Sequence, residues 1–163
     1  MYAFPGDIYG EITEKGSRKL IETFPEYFNN PEGVFYDLGS GDGDLTIFIA
    51  NNTPLKKVCG IELHTTRYNT SKEKYDNLDI KQLSFLHEDF TESDLSDATV
   101  IYIDNLVIPK TIATKFYANV PKGCLVVSTK RINSWELGKK YKETPVIEKS
   151  YTKRRKNWYI VKE

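Results

Sequence analysis

The chain has no excess charge of either sign, because lysine plus arginine and aspartate plus glutamate each total 23 in 163 residues. No global positive field is therefore present to hold nucleic acid, and any such role has to come from a local patch. Cysteine is scarce: Cys59 and Cys124 each sit in an apolar, β-branched stretch, which predicts reduced thiols on buried strands and not a disulfide framework. The two histidines, His64 and His87, lack cysteine or carboxylate partners at metal-ligand spacing, and no Ser-His-Asp or Cys-His arrangement is discernible, so metal and hydrolase readings fall away. No apolar run is long enough to span a bilayer, and the start, MYAFPGDIYGE, has no basic region followed by an apolar stretch. The expectation is an intracellular, soluble protein with no membrane partner.

What is present has the composition of a globular chain, with 39% hydrophobic and 28% charged residues. The length suits one domain with one core, and no repeat, low-complexity tract or linker divides it. Leu20, Ile21, Phe24, Tyr27 and Phe28 recur at helical spacing between Lys15 and Phe28, until Asn29, Asn30, Pro31 and Gly33 stop the pattern. Val34 to Leu38 reads as a strand running into glycines, and a helix resumes at Leu45. Strands follow at Lys57 to Leu63, Leu83 to His87, Thr99 to Ile103 and Cys124 to Ser128, with helix-capable stretches at Thr65 to Asn77 and Thr111 to Ala118. This alternation implies an α/β fold, a mostly parallel sheet with helices on both faces. Pro145 to Tyr151 and Trp158 to Val161 read as an antiparallel hairpin at the sheet edge, joined by the basic turn Lys153, Arg154, Arg155 and Lys156.

The chemistry concentrates at strand ends. Asp37-Leu38-Gly39-Ser40-Gly41-Asp42-Gly43 closes the first strand and opens a helix. Its glycines let the backbone turn sharply and lie close to a ligand, and Asp37 can take an ammonium group. The spacing is G-x-G-x-G, because Asp44 stands where the last glycine of the dinucleotide fingerprint would fall. That favours S-adenosylmethionine over a pyrophosphate. Glu62, ending the second strand, stands where such folds place an acid against ribose hydroxyls, and a carboxylate accepts from both at once. Glu88-Asp89-Phe90 closes the third strand, where Asp89 can accept from an adenine amino group and the Phe90 ring can pack on the base. Asp104-Asn105-Leu106 closes the fourth, beside the crevice where acceptor chemistry belongs. Leu106-Val107-Ile108 after Asn105 is not the Pro-Pro-Tyr/Phe of enzymes that methylate nucleobase amino groups, which disfavours such an acceptor.

With these residues assembled, the chain resembles the non-SET histone lysine methyltransferases, the disruptor-of-telomeric-silencing family, within the class I S-adenosylmethionine-dependent superfamily. The resemblance starts at Tyr9-Gly10-Glu11, runs through Asp37 to Gly43, Gly60-Ile61-Glu62, Glu88-Asp89-Phe90, Thr99 to Asn105 and Val126 to Lys130, and ends in Ser150-Tyr151-Thr152 to Trp158-Tyr159. It implies a Rossmann-like, seven-stranded sheet with a C-terminal hairpin, in a single catalytic domain over 1–163 whose first 31 residues close over the cofactor. It implies that Tyr9, Glu11, Asp37, Gly39, Ser40, Gly41, Gly43, Glu62, Asp89 and Phe90 bind S-adenosylmethionine. Asp104, Asn105, Trp158 and Tyr9 would form the catalytic, acceptor side. Three departures stand out: the family has two adjacent asparagines at Asp104-Asn105, a tyrosine at Trp158, and an N-terminal helical region not found here. The small lysine methyltransferases of mitochondrial ATP-synthase subunits share the Asp37 to Gly43 string but lack the loop and hairpin matches.

The resemblance implies in-line methyl transfer to a deprotonated lysine amine, with a histone or histone-like protein as partner. It fits a minimal viral or microbial relative acting on chromatin in the nucleus or cytoplasm of a host cell. Lys153, Arg154, Arg155 and Lys156 could touch a nucleosome or nucleic acid, although a charge run on a hairpin tip is usually solvated. Two alternatives remain open at this point: another acceptor (a non-histone lysine, RNA or a small molecule), and a non-catalytic cofactor-binding scaffold.

Overall fold

A computed structural model describes residues 12–104, 108–129, 140–146 and 156–162. Along the chain run α1 (Glu14–Thr23), α2 (Pro25–Phe28), β1 (Val34–Leu38), α3 (Asp44–Asn52), β2 (Lys57–Ile61), α4 (Thr65–Asp76), β3 (Leu83–Leu86), β4 (Val100–Ile103), α5 (Lys110–Ala118), β5 (Leu125–Ser128), β6 (Lys140–Val146) and β7 (Lys156–Val161). The strands form one sheet in the order β3-β2-β1-β4-β5-β7-β6. β1 to β5 pair in parallel, whereas β7 joins β5, and β6 joins β7, antiparallel.

The near-continuous apolar runs of β1, β4 and β5 follow from burial on both faces, as parallel sheets require. One face packs Tyr36, Leu38, Ile61, Ile101 and Val126 against Phe116 and Tyr117 of α5 and the Phe90–Ala98 segment. The other packs Phe35, Val58, Phe85, Val100 and Val127 against Leu20, Phe24 and Phe28 of the first helical region, Ile49 of α3, and Tyr68 and Tyr75 of α4. Helices thus cover both faces. Cys59 and Cys124 are free and buried, and burial pushes the Cys124 thiol up to about 12.

Two boundaries differ from the sequence reading. The single helix expected over Lys15 to Phe28 is two, because Phe24 leaves helical geometry (φ −129°, ψ 57°) and Pro25, which has no N–H to donate, starts α2 afresh. Thr13 opens α1 by accepting from the Gly16 amide at 3.1 Å. The strand expected at Pro145 to Tyr151 lies earlier, at Lys140–Val146. Pro145 falls inside it because β6 is an edge strand, and its pairing with β7 slips between Glu143 and Val146. The segment joining β6 to β7, with Lys153, Arg154 and Arg155, lies outside the described residues.

Away from the carboxyl ends of the strands, Lys57 donates to the Tyr36 hydroxyl (2.6 Å) and to Asp97 (3.0 Å), and Tyr36 donates to Asp97 (2.7 Å). Burial, reinforced by the bond to Asp97 and opposed by the Lys57 ammonium, pushes the Tyr36 phenol up to about 12. Burial alone would raise Asp97, but the hydrogen bonds from Tyr36 and Lys57 outweigh it and hold that carboxyl below its ordinary value.

Candidate active site

Register places the site. Leu38 pairs with Ile61 and with Ile103, Ile61 with Leu86, and Ile103 with Ser128. The next residue of each strand therefore falls on one row along the carboxyl edge: His87, Glu62, Gly39, Asp104 and Thr129. The strand order reverses between β1 and β4, and in open α/β sheets ligands bind at that crevice. Trp158 holds the register position opposite Ser128 on β7, which brings the C-terminal strand to the same end of β5.

The glycine loop turns on three positive φ values, 76° at Gly39, 59° at Gly41 and 87° at Gly43. The three positions do different work. Among the described residues, a Cβ on Gly39 would meet nothing within 4 Å, which leaves room there for a ligand lying on the main chain. A Cβ on Gly43 would stand 2.8 Å from the Phe85 ring and 2.9 Å from Ser71 of α4, so this glycine lets the loop pack on the sheet and on α4. Gly60 of β2 makes the same concession from below: its Cβ would be 2.7 Å from Phe85 and 2.8 Å from the Ser40 hydroxyl. Ser40 therefore points its hydroxyl at β2, and that buried oxygen has no hydrogen-bond partner among the described residues.

The loop amides are largely spoken for by protein. Gly39 and Ser40 both donate to the Ile61 carbonyl (2.8 and 3.0 Å), and Gly43 donates to Ser40. Gly41 donates to Glu62 Oε2 at 2.8 Å, and His64 donates to Oε1 at 2.8 Å. Glu62, only 6% exposed, is thus fixed by two backbone amides and keeps lone pairs on both oxygens for hydroxyl donors. This is a rigid carboxylate beside an open glycine, a poor cradle for phosphate and a good one for a nucleoside. Asp37, 3% exposed, accepts from the Thr46 hydroxyl of α3 at 2.8 Å.

Beyond the end of β3, Asp89 Oδ1 accepts from the Thr91 amide (3.0 Å) and hydroxyl (2.7 Å), which caps the turn. The Phe90 ring is packed edge-on against Phe116, centroids 5.5 Å apart, and belongs to the core. On the other side of Gly39, Thr129, itself buried, donates to Asp104 Oδ1 at 2.8 Å. Tyr9, Glu11 and Asn105 lie outside the described residues, as do the side chains of Trp158 and Tyr159. Sequence reasoning missed Thr46, Thr129 and Lys74, whose ammonium donates to the Asp42 carbonyl (3.1 Å) and to Asp44 (2.7 Å). Each is an ordinary polar residue whose partner only the fold brings near. Among the described residues, no cluster of side chains could hold a metal ion and no helix is long and apolar enough to cross a membrane.

This architecture, with a glycine loop after β1 and acids at the ends of β2, β3 and β4, is the Rossmann-like fold of S-adenosylmethionine-dependent methyltransferases. An RNA methyltransferase from Salinibacter ruber, solved with S-adenosyl-L-homocysteine, superposes with a TM-score of 0.66 at 20% identity, covering 86% of this chain and 87% of that one. A methyltransferase from Geobacter sulfurreducens gives 0.59 at 17% identity over 72% of this chain and 48% of that one. The chain belongs to the histone methylation protein DOT1 family, whose model matches residues 2–159. A histone-lysine N-methyltransferase, H3 lysine-79 specific, of Caenorhabditis elegans is 29% identical over 81% of this chain, which spans 16% of that protein. An enzyme of the same specificity in Yarrowia lipolytica is 27% identical over 78% of the chain, which spans 29% of it. A protein-lysine N-methyltransferase of Saccharolobus islandicus is 27% identical over 78% of this chain and 79% of its own length.

Proposed function

We propose that the chain is an S-adenosylmethionine-dependent protein-lysine N-methyltransferase. The observation that carries this reading is the row on which fixed Glu62, open Gly39 and Asp104 meet. The residues suit the cofactor: Glu62 would accept from ribose hydroxyls, Asp89 from the adenine amine, Asp37 would answer the ammonium, and the nucleoside would lie against Gly39. Gly41 holds Glu62, while Ser40 and Gly43 shape the loop. Phe90 supports the adenine side from the core. Tyr9 and Glu11 would close the pocket by family resemblance. When bound, the cofactor supplies a methyl group on sulfonium, which needs a neutral nucleophile aligned behind it.

The chain's task is then to orient a lysine amine and take up its proton. Asp104, which accepts from Thr129, would take up that proton at its carboxylate, and Asn105 and Trp158 would line the acceptor channel. The finer reading is a histone-type acceptor, consistent with the H3 lysine-79 specificity of the nematode and yeast relatives. In it, β6 and β7 form the family's C-terminal hairpin, the basic residues Lys153 to Lys156 would meet an acidic partner surface, and the chain is a single domain acting on chromatin.

The test is to incubate the protein with methyl-labelled S-adenosylmethionine and core histones, nucleosomes or total RNA, and to locate the label by mass spectrometry. Label on a lysine is expected; label on RNA alone keeps the fold and overturns the acceptor. An Asp104→Asn variant with full activity across the pH range would refute the proton-accepting role.

A further inference from the structure

We infer that Lys74 is a positioning residue for the cofactor, holding the glycine loop in its ligand-ready shape from α4. The inference rests on the cofactor reading of that loop. A backbone built on Gly39, Gly41 and Gly43 has much conformational freedom to lose, and binding is tighter when that freedom is already removed. From the sheet side, the Ile61 carbonyl and Glu62 tie down the amides of residues 39 to 41. Beyond Gly41, Asp42 meets α4 through its carbonyl, and Gly43 packs on α4 as well as on Phe85 of β3.

Two residues one helical turn apart on α4 make that meeting. Ser71, fully buried, lies so near Gly43 that an added Cβ would come within 2.9 Å of its own. Lys74 follows three positions later, on the same face of the helix. Its ammonium donates 3.1 Å to the Asp42 carbonyl and 2.7 Å to Asp44, the first residue of α3. One cation therefore bridges the end of the loop, the start of the helix after it, and α4. The lysine is 37% exposed and Asp44 58%, so the pair is open to screening by salt.

The experiment is calorimetric titration with S-adenosyl-L-homocysteine, which needs no knowledge of the acceptor, on the wild type, Lys74→Met and Lys74→Arg. Lys74→Met should weaken binding about twofold to fivefold. Lys74→Arg, which keeps the charge and donors, should restore most of it. Raising the salt from 50 to 500 mM should weaken wild-type binding towards the Lys74→Met value and leave Lys74→Met nearly unchanged. Wild-type affinity in Lys74→Met overturns the role of Lys74 alone. So does a loss that Lys74→Arg fails to repair, since this marks repacking of α4. A wild type that does not bind S-adenosyl-L-homocysteine overturns the cofactor reading and the inference with it.

Discussion

Gly60→Ala tests the link between the sheet and the loop. Gly60 lies in β2 between Asp37 of β1 and Phe85 of β3. The new methyl would stand 2.7 Å from two atoms of the Phe85 ring, well inside van der Waals contact. Phe85 has no easy retreat, because its Cε1 and the adjacent Cζ already fill the space left by the missing Cβ of Gly43, at 2.9 and 2.8 Å, and Tyr75 packs across it with centroids 6.1 Å apart. Overpacking a core of this kind costs about 1–3 kcal/mol, and the reduced freedom of the unfolded chain returns about 0.4–1 kcal/mol. The net loss is about 1–2 kcal/mol, a fall in Tm of roughly 2–8 °C for a chain of this size. Because the displaced ring presses on Gly43 and the methyl on Ser40, affinity for S-adenosyl-L-homocysteine should fall as well. Phe85→Leu should be destabilising in the wild type yet partly repair Gly60→Ala, giving a coupling of at least about 1 kcal/mol in the double-mutant cycle. Thermal denaturation and calorimetry of the four proteins decide it. Additive effects, or a Gly60→Ala variant as stable as the wild type, would refute the argument that Phe85 is wedged between two glycines.

Glu62→Gln should reduce stability by about 1–3 kcal/mol, because the new amide must turn an NH2 towards the Gly41 or His64 amide, and it should weaken S-adenosyl-L-homocysteine binding roughly 10- to 100-fold. Unchanged affinity by calorimetry would remove Glu62 from the site. The Tyr36 cluster makes a pH prediction. A phenol raised to about 12 in the folded chain favours the folded state below pH 10, and that share is lost as pH rises from 10 to 12. Melting temperatures of Tyr36→Phe should therefore decline less steeply than wild type over that window, and parallel curves would contradict it. Asp97, held below its ordinary value, acts in the opposite range, so its contribution disappears as pH falls below about 4.

Much of this could be read from the chain. The apolar run ending in Asp37, the glycines and the resumed helix marked β1 and the start of α3 to within a residue, since a strand buried on both faces and a βα turn leave plain signatures. Glu62 was legible because its distance from the loop follows from the length of one βα unit. The division of labour among the glycines was not: only the packing of Phe85 shows that Gly43 and Gly60 serve the core while Gly39 faces open space. The contact of Phe90 with Phe116, 26 positions on, was not legible, because only the fold brings the two rings together. Thr46, Lys74 and Thr129 carry no local signal, because each acts on a group that tertiary structure brings to it. The early position of β6 was hidden by Pro145, which marks a boundary in most strands but is tolerated on an edge.

The most direct test of the account is a structure of the chain with S-adenosyl-L-homocysteine bound. The nucleoside is expected against Gly39, its ribose hydroxyls donating to Glu62 and its sulfur directed towards Asp104. A ligand bound elsewhere, or one that leaves Glu62 with only its Gly41 and His64 partners, would contradict the assignment of this edge as the methyl-transfer site.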